Sequence, residues 1–188
     1  LAAVASTMTV DVTPVNDAPT ATSSTVVTLE DTAFTFSAGD FNFATVDADS
    51  LAAVKIITVA TDGVLKLNGT AVIADQEISR ADSDAGKLTF VPDLNENGTT
   101  YATFTFKVSD GIDFSVAAST MTVDVTPVQD APTATANTVV TLEDTAFTFG
   151  AGDFNFATVD AGEALAAVKI TSLATDGVLK LNGTAADL

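Results

Sequence analysis

Any chemistry in this chain would have to come from oxygen atoms, because the side chains that most enzymes react through are missing. The sequence has 25 acidic residues against 7 basic ones, a net charge of −18, and no histidine, cysteine or tryptophan. Without histidine or cysteine, the serine and threonine hydroxyls lack a partner base, and zinc lacks its usual ligands. We therefore expect no enzymatic activity, and so acidic a chain is a poor partner for nucleic acid.

The acidic residues are concentrated in loops, where they could bind calcium. Ca²⁺ takes six to eight oxygen ligands, which carboxylates and backbone carbonyls supply flexibly. The candidate ligands are the acidic residues of the linkers and of the loops at the ends of the predicted strands: Asp17, Glu30, Asp31, Asp47, Asp49, Asp110, Asp130, Glu143, Asp144 and Asp160. Bound calcium would stiffen the joints between domains. The alternative is that each residue is a solvated turn or cap residue.

The acidic loops recur because the sequence itself recurs. The linker at residues 13–20 (TPVNDAPT) returns at 126–133 with Asn16 replaced by Gln129, and Val15 to Val128 is a step of 113 residues (128 minus 15). A fixed period of domain length predicts tandem domains. We predict the last strand of a preceding repeat plus a linker in residues 1–17, a complete repeat in 18–130, and the N-terminal half of the next repeat in 131–188.

Alternating apolar residues predict β-strands along the complete repeat. In residues 101–108, Ala102, Phe104, Phe106 and Val108 share one face, and residues 4–13 show the same period of two. Further strands are predicted at 25–29, 33–36, 52–60, 64–67, 71–74, 87–91 and 114–125, with loops at 37–50 and 75–86 and no amphipathic helix. About seven strands per repeat predict an all-β fold of antiparallel sandwiches.

Several motifs resemble the cadherin-like tandem repeats of giant RTX-type bacterial surface adhesins. They are PVNDAP at 14–19, EDT at 30–32, VDAD at 46–49, KLTFVP at 87–92 and the run from 97 to 111. The resemblance implies Greek-key sandwiches (cadherin- or Ig-like) strung end to end, often with calcium at the junctions. It implies an extracellular spacer that holds a binding module away from the cell, and it implies no particular ligand.

The sequence thus favours a non-catalytic, calcium-stiffened spacer of a long secreted or cell-surface bacterial adhesin or fibre. The expected partners are neighbouring repeats of the same chain, and no segment is apolar enough to enter a membrane. One alternative is a fibre subunit, in which the N-terminal strand of one copy completes the open half-sandwich of another by strand addition. The other is a glycan- or protein-binding module with a groove lined by Phe41, Phe43 and Tyr101.

Overall fold

The computed structural model describes residues 5–187, and its regular structure is almost entirely β. In chain order the strands are β1 Thr20–Ala21, β2 Ser24–Leu29, β3 Phe34–Thr35, β4 Phe43–Ala44, β5 Ala53–Thr58, β6 Val64–Leu67, β7 Thr70–Ala71, β8 Glu77–Ser79, β9 Leu88–Val91, β10 Gly98–Ser109, β11 Ser119–Thr126, β12 Thr133–Ala134, β13 Phe156–Ala157, β14 Lys180–Leu181 and β15 Thr184–Ala185. The helical segments are 3₁₀ turns at Ala38–Phe41 and Ala151–Phe154 and the short helix α1 at Arg80–Asp84. Within residues 5–187, no helix has the length or hydropathy of a membrane span.

The described residues form two compact units that divide between Val128 and Gln129. In the first unit, a five-stranded sheet with the order β2-β11-β10-β5-β8 faces a four-stranded sheet with the order β3-β9-β6-β7. A single hydrophobic core draws on both sheets, with Ile56 and Phe106 from the first and Leu88 and Phe90 from the second all fully buried. The predicted all-β sandwich is confirmed.

Strand β10 is the central strand of the larger sheet, and its predicted face is the buried one. Ala102, Phe104, Phe106 and Val108 are at most 1% exposed. The sheet is not wholly antiparallel, however, because β11 pairs with β2 in parallel, with Val123 opposite Val26. Apolar alternation shows which face of a strand is buried but carries no information on strand direction, so the all-antiparallel expectation was wrong at this pair.

The segment predicted as a loop at residues 75–86 contains β8 and α1. Helix α1 begins after Ser79, whose hydroxyl accepts a hydrogen bond from the Asp82 amide at 3.1 Å. Lys87 then binds the Asp82 carboxylate at 2.6 Å. A helix of five residues is too short to show the 3.6-residue period, so the polar composition of this stretch hid it.

The strand predicted at residues 4–13 is wrong for the part that the structure describes, residues 5–13, which carry no strand. Met8 and Val12 are 88% and 86% exposed. The same sequence at residues 118–126 forms β11, which is held between β10 and β2. A strand exists only when neighbouring strands satisfy its backbone groups, and none of the described strands pairs with residues 5–13. The assignment of residues 1–17 to a preceding repeat stays a prediction.

The second unit reproduces the local elements of the first. Strands β12 and β13 pair as β1 and β4 do, and β14 and β15 form the same two-residue hairpin as β6 and β7. Asn68 and Asn182 take φ values of 54° and 51° in these hairpins, as their Asn-Gly sequences predict. The segments equivalent to β2 and β5 are not strands, and none of the described residues of this unit is buried.

Candidate functional site

At the end of the first unit where its linker enters, carboxylates bind linker amides. The Asp17 backbone N–H donates to Asp47 Oδ2 at 2.8 Å, and the Asp47 N–H in turn donates to Thr45 Oγ1 at 3.1 Å. The Asn16 side-chain amide donates to Asp110 Oδ2 at 3.3 Å and to Asp113 Oδ2 at 3.2 Å. The structure therefore brings three predicted residues, Asp17, Asp47 and Asp110, to one end of the repeat.

The carboxylate of Asp110 is fixed by its own turn as well as by the linker. Its Oδ1 accepts the backbone N–H groups of Asp113 at 2.8 Å and Ile112 at 2.7 Å. These bonds favour the charged form, and they hold the pKa of Asp110 below its usual value, with the Asp113 amide as the largest cause. Asp49, predicted at the same end, is exposed.

Glu30 and Asp31 lie at the opposite end of the first unit. Glu30 is only 3% exposed; it accepts the Asn97 side-chain amide at 2.7 Å and the Val128 backbone N–H at 2.5 Å. Asp31 adopts a left-handed φ of 57° and accepts the Asn95 backbone N–H at 2.9 Å. The burial of the Glu30 carboxylate is tolerated because both of its oxygens are hydrogen-bonded.

The predicted ligands of the complete repeat therefore form two groups rather than one. Strand β10 runs from Gly98, near the Glu30 end, to Ser109, beside Asp110. Its 12 residues span about 36 Å at roughly 3.3 Å per residue, too far for one ion to bridge. Among the described residues, Asp17, Asp47 and Asp110 belong to no group of three metal-ligand side chains whose ligand atoms all lie within 4.8 Å.

The second unit repeats the linker contact of the first. The Asp130 backbone N–H donates to Asp160 Oδ2 at 2.8 Å, the same distance as the Asp17–Asp47 bond. Gln129, which replaces Asn16, donates to Glu163 at 2.8 Å. The first copy has Asp-Ala-Asp at residues 47–49, and the second copy has Asp-Ala-Gly-Glu at residues 160–163. The second copy therefore loses the Asp49 carboxylate and has Glu163 one residue later.

The remaining predicted residues of the second unit, Glu143 and Asp144, are exposed. Asp144 keeps the left-handed φ of its counterpart Asp31, at 56°. The turn is therefore reproduced in the second unit, whereas the burial that Glu30 has in the first unit is not.

A third acidic group was missed by the sequence analysis, which names none of its members as a candidate ligand. Carboxylate oxygens of Asp62, Asp93 and Glu96 all lie within 4.8 Å of one another, and the three residues are exposed. Gly63 makes this approach possible: with φ of 60°, a Cβ there would lie 2.7 Å from the Val91 carbonyl and 2.6 Å from the ring of Phe90. The Asp62-Gly63 sequence signalled a turn, but not that the turn would meet residue 93.

Tyr101 lies beside this third group and is part of its hydrogen bonding. Its hydroxyl donates to Glu96 Oε2 at 2.9 Å and accepts the Asp93 backbone N–H at 3.2 Å. Burial, followed by the nearby Glu96 and Asp93 carboxylates, raises the pKa of Tyr101 to about 12. The hydroxyl is therefore a hydrogen-bond donor over the whole physiological range rather than a base.

The aromatic groove proposed as a ligand-binding alternative is not present as described. Phe41 is fully buried and packs on Phe36 and Phe106, with ring centroids 5.7 and 5.1 Å apart. Phe43 and Tyr101 are only partly buried and pack against the core. The ring of Phe41 fills the core, so it cannot bind a ligand at the surface.

Comparison with known proteins identifies the fold family. Residues 16–126 match the family model described as bacterial Ig domain. No curated protein matches the chain. The match runs from Asn16 in the linker through both sheets to Thr126 at the end of β11, and it supports a bacterial Ig-like repeat. The narrower assignment to cadherin-like RTX repeats stays a prediction. The chain therefore belongs to the bacterial Ig domain family.

Proposed function

We propose that this chain is part of a non-catalytic spacer, built from tandem Ig-like repeats, in a long extracellular or cell-surface bacterial adhesin or fibre. Bacterial Ig-like domains are structural repeat modules, typically of surface or extracellular proteins. The observation that carries the proposal is the repeated linker contact, in which Asp17 and Asp130 each donate a backbone N–H to an aspartate of the domain that follows. A linker whose backbone is hydrogen-bonded to the following domain restricts the orientation of neighbouring repeats more than a flexible linker does.

The proposal includes calcium as the ion that stiffens these joints. The carboxylates of Asp17, Asp47 and Asp110 are hard oxygen donors of the kind that Ca²⁺ prefers, and they lie at one end of the repeat. Glu30 and Asp31 would serve the other end, and Asp130 and Asp160 the second unit. Because Asp17, Asp47 and Asp110 are not within 4.8 Å of one another, their side chains would have to move to share an ion. We therefore expect weak binding, in the roughly 0.1–1 mM range of extracellular calcium modules.

The test is thermal unfolding in millimolar Ca²⁺, in Mg²⁺ and in chelator, for the wild-type chain, Asp47→Asn and the control Asp75→Asn. Both variants remove one negative charge, but Asp75 lies in an exposed turn away from the linker. Its left-handed φ of 62° accommodates asparagine. Selective binding to the folded state would raise the midpoint in calcium only, and Asp47→Asn would reduce this rise while Asp75→Asn would keep it.

Identical curves in all three solutions would remove calcium from the proposal. The stiffness of the joints would then depend only on the linker prolines and on the hydrogen bonds between linker amides and carboxylates. A calcium-dependent rise that Asp47→Asn leaves unchanged would place the ion elsewhere on the chain.

A further inference from the structure

The first and last strands of the larger sheet lie side by side and run in the same direction. Strand β2 follows the incoming linker, and β11 leads into the outgoing one. Their six pairs run from Ser24 opposite Met121 to Leu29 opposite Thr126. The other strands of both sheets lie between β2 and β11 in the sequence. Tension between the two linkers therefore reaches these sheets first at the β2–β11 pair.

The parallel direction decides how such tension acts on the hydrogen bonds of the pair. Tension pulls β2 towards the incoming linker and β11 towards the outgoing linker, in opposite directions along the strand axis. The bonds of a parallel ladder are evenly spaced along the strands, so the pairs are loaded together in shear. In an antiparallel pair, the same tension would act on one end and separate the pairs one at a time.

Hydrogen bonds outside the ladder hold the incoming end of this pair. The Ser119 hydroxyl donates to the Ala21 carbonyl at 2.8 Å. The Thr120 backbone N–H donates to Ser23 Oγ at 3.2 Å. Contact between the two segments therefore begins before the first ladder pair.

Glu30 holds the outgoing end of the pair. Its backbone N–H donates to the Thr126 carbonyl at 3.0 Å, and its Oε1 accepts the Val128 backbone N–H at 2.5 Å. One residue at the end of β2 thus binds both the end of β11 and the start of the outgoing linker. The carboxylate is 3% exposed and Asn97 donates to its other oxygen, so water has little access to these bonds.

We propose that β2, β11 and Glu30 form a tension-bearing clamp, in which Glu30 is a positioning residue that holds the outgoing linker against the incoming strand. This inference rests on the proposed spacer function, because a spacer between a cell and its target carries tension along its length. While the clamp holds, residues 31–118 are shielded from that tension and the core stays closed. The clamp does not depend on calcium.

Single-molecule pulling in two directions separates shear from peeling. The chain has no cysteine, so DNA handles can be attached through Thr22→Cys together with either Gln129→Cys or Ala118→Cys, in chelator and under reducing conditions. All three positions are exposed. Positions 22 and 129 lie beyond opposite ends of the β2–β11 pair and load it in shear. Positions 22 and 118 lie beyond the same end and peel the strands apart from there.

We expect the unfolding force to be several times larger between positions 22 and 129 than between positions 22 and 118, because all six pairs have to yield together in shear. Forced unfolding reports the barrier to unfolding rather than the equilibrium stability. Equal forces in the two directions would overturn the clamp. They would leave the spacer proposal standing, since its test is the calcium dependence of thermal unfolding.

The variant Glu30→Gln tests the role of the glutamate. It should lower the force between positions 22 and 129 and leave the force between positions 22 and 118 nearly unchanged, because peeling begins at the end of the pair far from Glu30. The matched control Glu143→Gln changes an exposed side chain and should alter neither force. An equal fractional loss in both directions would show that Glu30 contributes only to overall stability. That result, or an unchanged force between positions 22 and 129, would overturn its assigned role.

Discussion

Residues 18–71 and 131–185 have almost the same sequence, yet the first copy is a folded half of a sandwich and the second contains no buried residue. Phe36 and Phe149 occupy the same place in the repeat, and their exposures are 0% and 47%. The chain therefore contains its own control: two copies of one sequence, of which only the first is packed against residues 77–126.

The comparison separates local from long-range structure. The 3₁₀ turns keep the same bond, from the backbone N–H of Ser37 or Gly150 to the aspartate three residues on, at 2.7 Å in both copies. Asn42 and Asn155 end these turns with φ of 45° and 43°. What the second copy lacks is every pairing with strands β9 to β11. Turns, which depend on residues close in sequence, are the same in both copies. Strand pairing with distant residues is present only in the first copy.

The largest difference between the copies is expected for loss of the core phenylalanine. Phe36→Ala should lower the free energy of unfolding of the first unit by about 3–5 kcal/mol, because it leaves a cavity in a close-packed core. The matched change Phe149→Ala should alter it by about 0.5 kcal/mol or less, as surface changes do. Urea unfolding followed by circular dichroism measures both. Equal losses would show that the second copy is packed in solution.

A smaller difference is expected at the buried glutamate. In Glu30→Gln, a side-chain NH2 group replaces one of the two carboxylate oxygens that accept N–H donors. The free energy of unfolding should fall by about 1–3 kcal/mol, because a buried polar group is left without a hydrogen-bond partner. Glu143→Gln changes an exposed side chain and should have almost no effect on stability. The same urea titration serves for both variants, and a Glu143→Gln loss as large as that of Glu30→Gln would contradict the assigned role of burial.

The absorbance of the ionised phenol at high pH should report the first unit alone, because Tyr101 is the single tyrosine of the chain. Its pKa is raised from 10.0 to about 12. A raised pKa in an acid means that its contribution to stability is complete below pH 10 and is lost as the pH rises towards 12. Absorbance of the ionised phenol should titrate near pH 12 in the folded chain. Tyr101→Phe should remove this part of the loss of stability at alkaline pH. A wild-type titration near pH 10 would contradict the burial of the hydroxyl beside the Glu96 and Asp93 carboxylates.

The smallest effect, and one that should be the same in both copies, concerns the linker amides. Asp47→Ala and Asp160→Ala each remove the acceptor of one backbone N–H, at Asp17 and Asp130 respectively. We expect each to cost about 1 kcal/mol or less, the net worth of one hydrogen bond. Hydrogen exchange measured by NMR should show faster exchange of the amide at position 17 or 130 in the matching variant. Unchanged exchange in either variant would show that the contact does not persist in solution.

Much of the candidate site could be placed from the sequence, but not its division or its full membership. The repeat and its loops identified Asp17, Asp47 and Asp110, and Glu30 and Asp31 after the first strand, as candidate ligands without assigning them to the two ends of the sandwich. The sequence did not show that Glu30 would be buried, because its partners Asn97 and Val128 are 67 and 98 residues away. It also missed the approach of Asp62 to Asp93 and Glu96, which depends on how closely the backbone at Gly63 packs on Val91.

By itself, the sequence determined the tandem period, the absence of histidine and cysteine chemistry, the buried face of β10 and the local turns. These follow from composition, from the period of two, and from asparagine and glycine at positions of positive φ. Only the tertiary structure decided that β11 lies parallel to β2, that residues 5–13 remain outside any strand, and that one copy is buried while the other is exposed. The physical reason is that strand pairing and burial each require contact between two segments of the chain. Two identical segments therefore adopt different structures when only one of them contacts its partner segment.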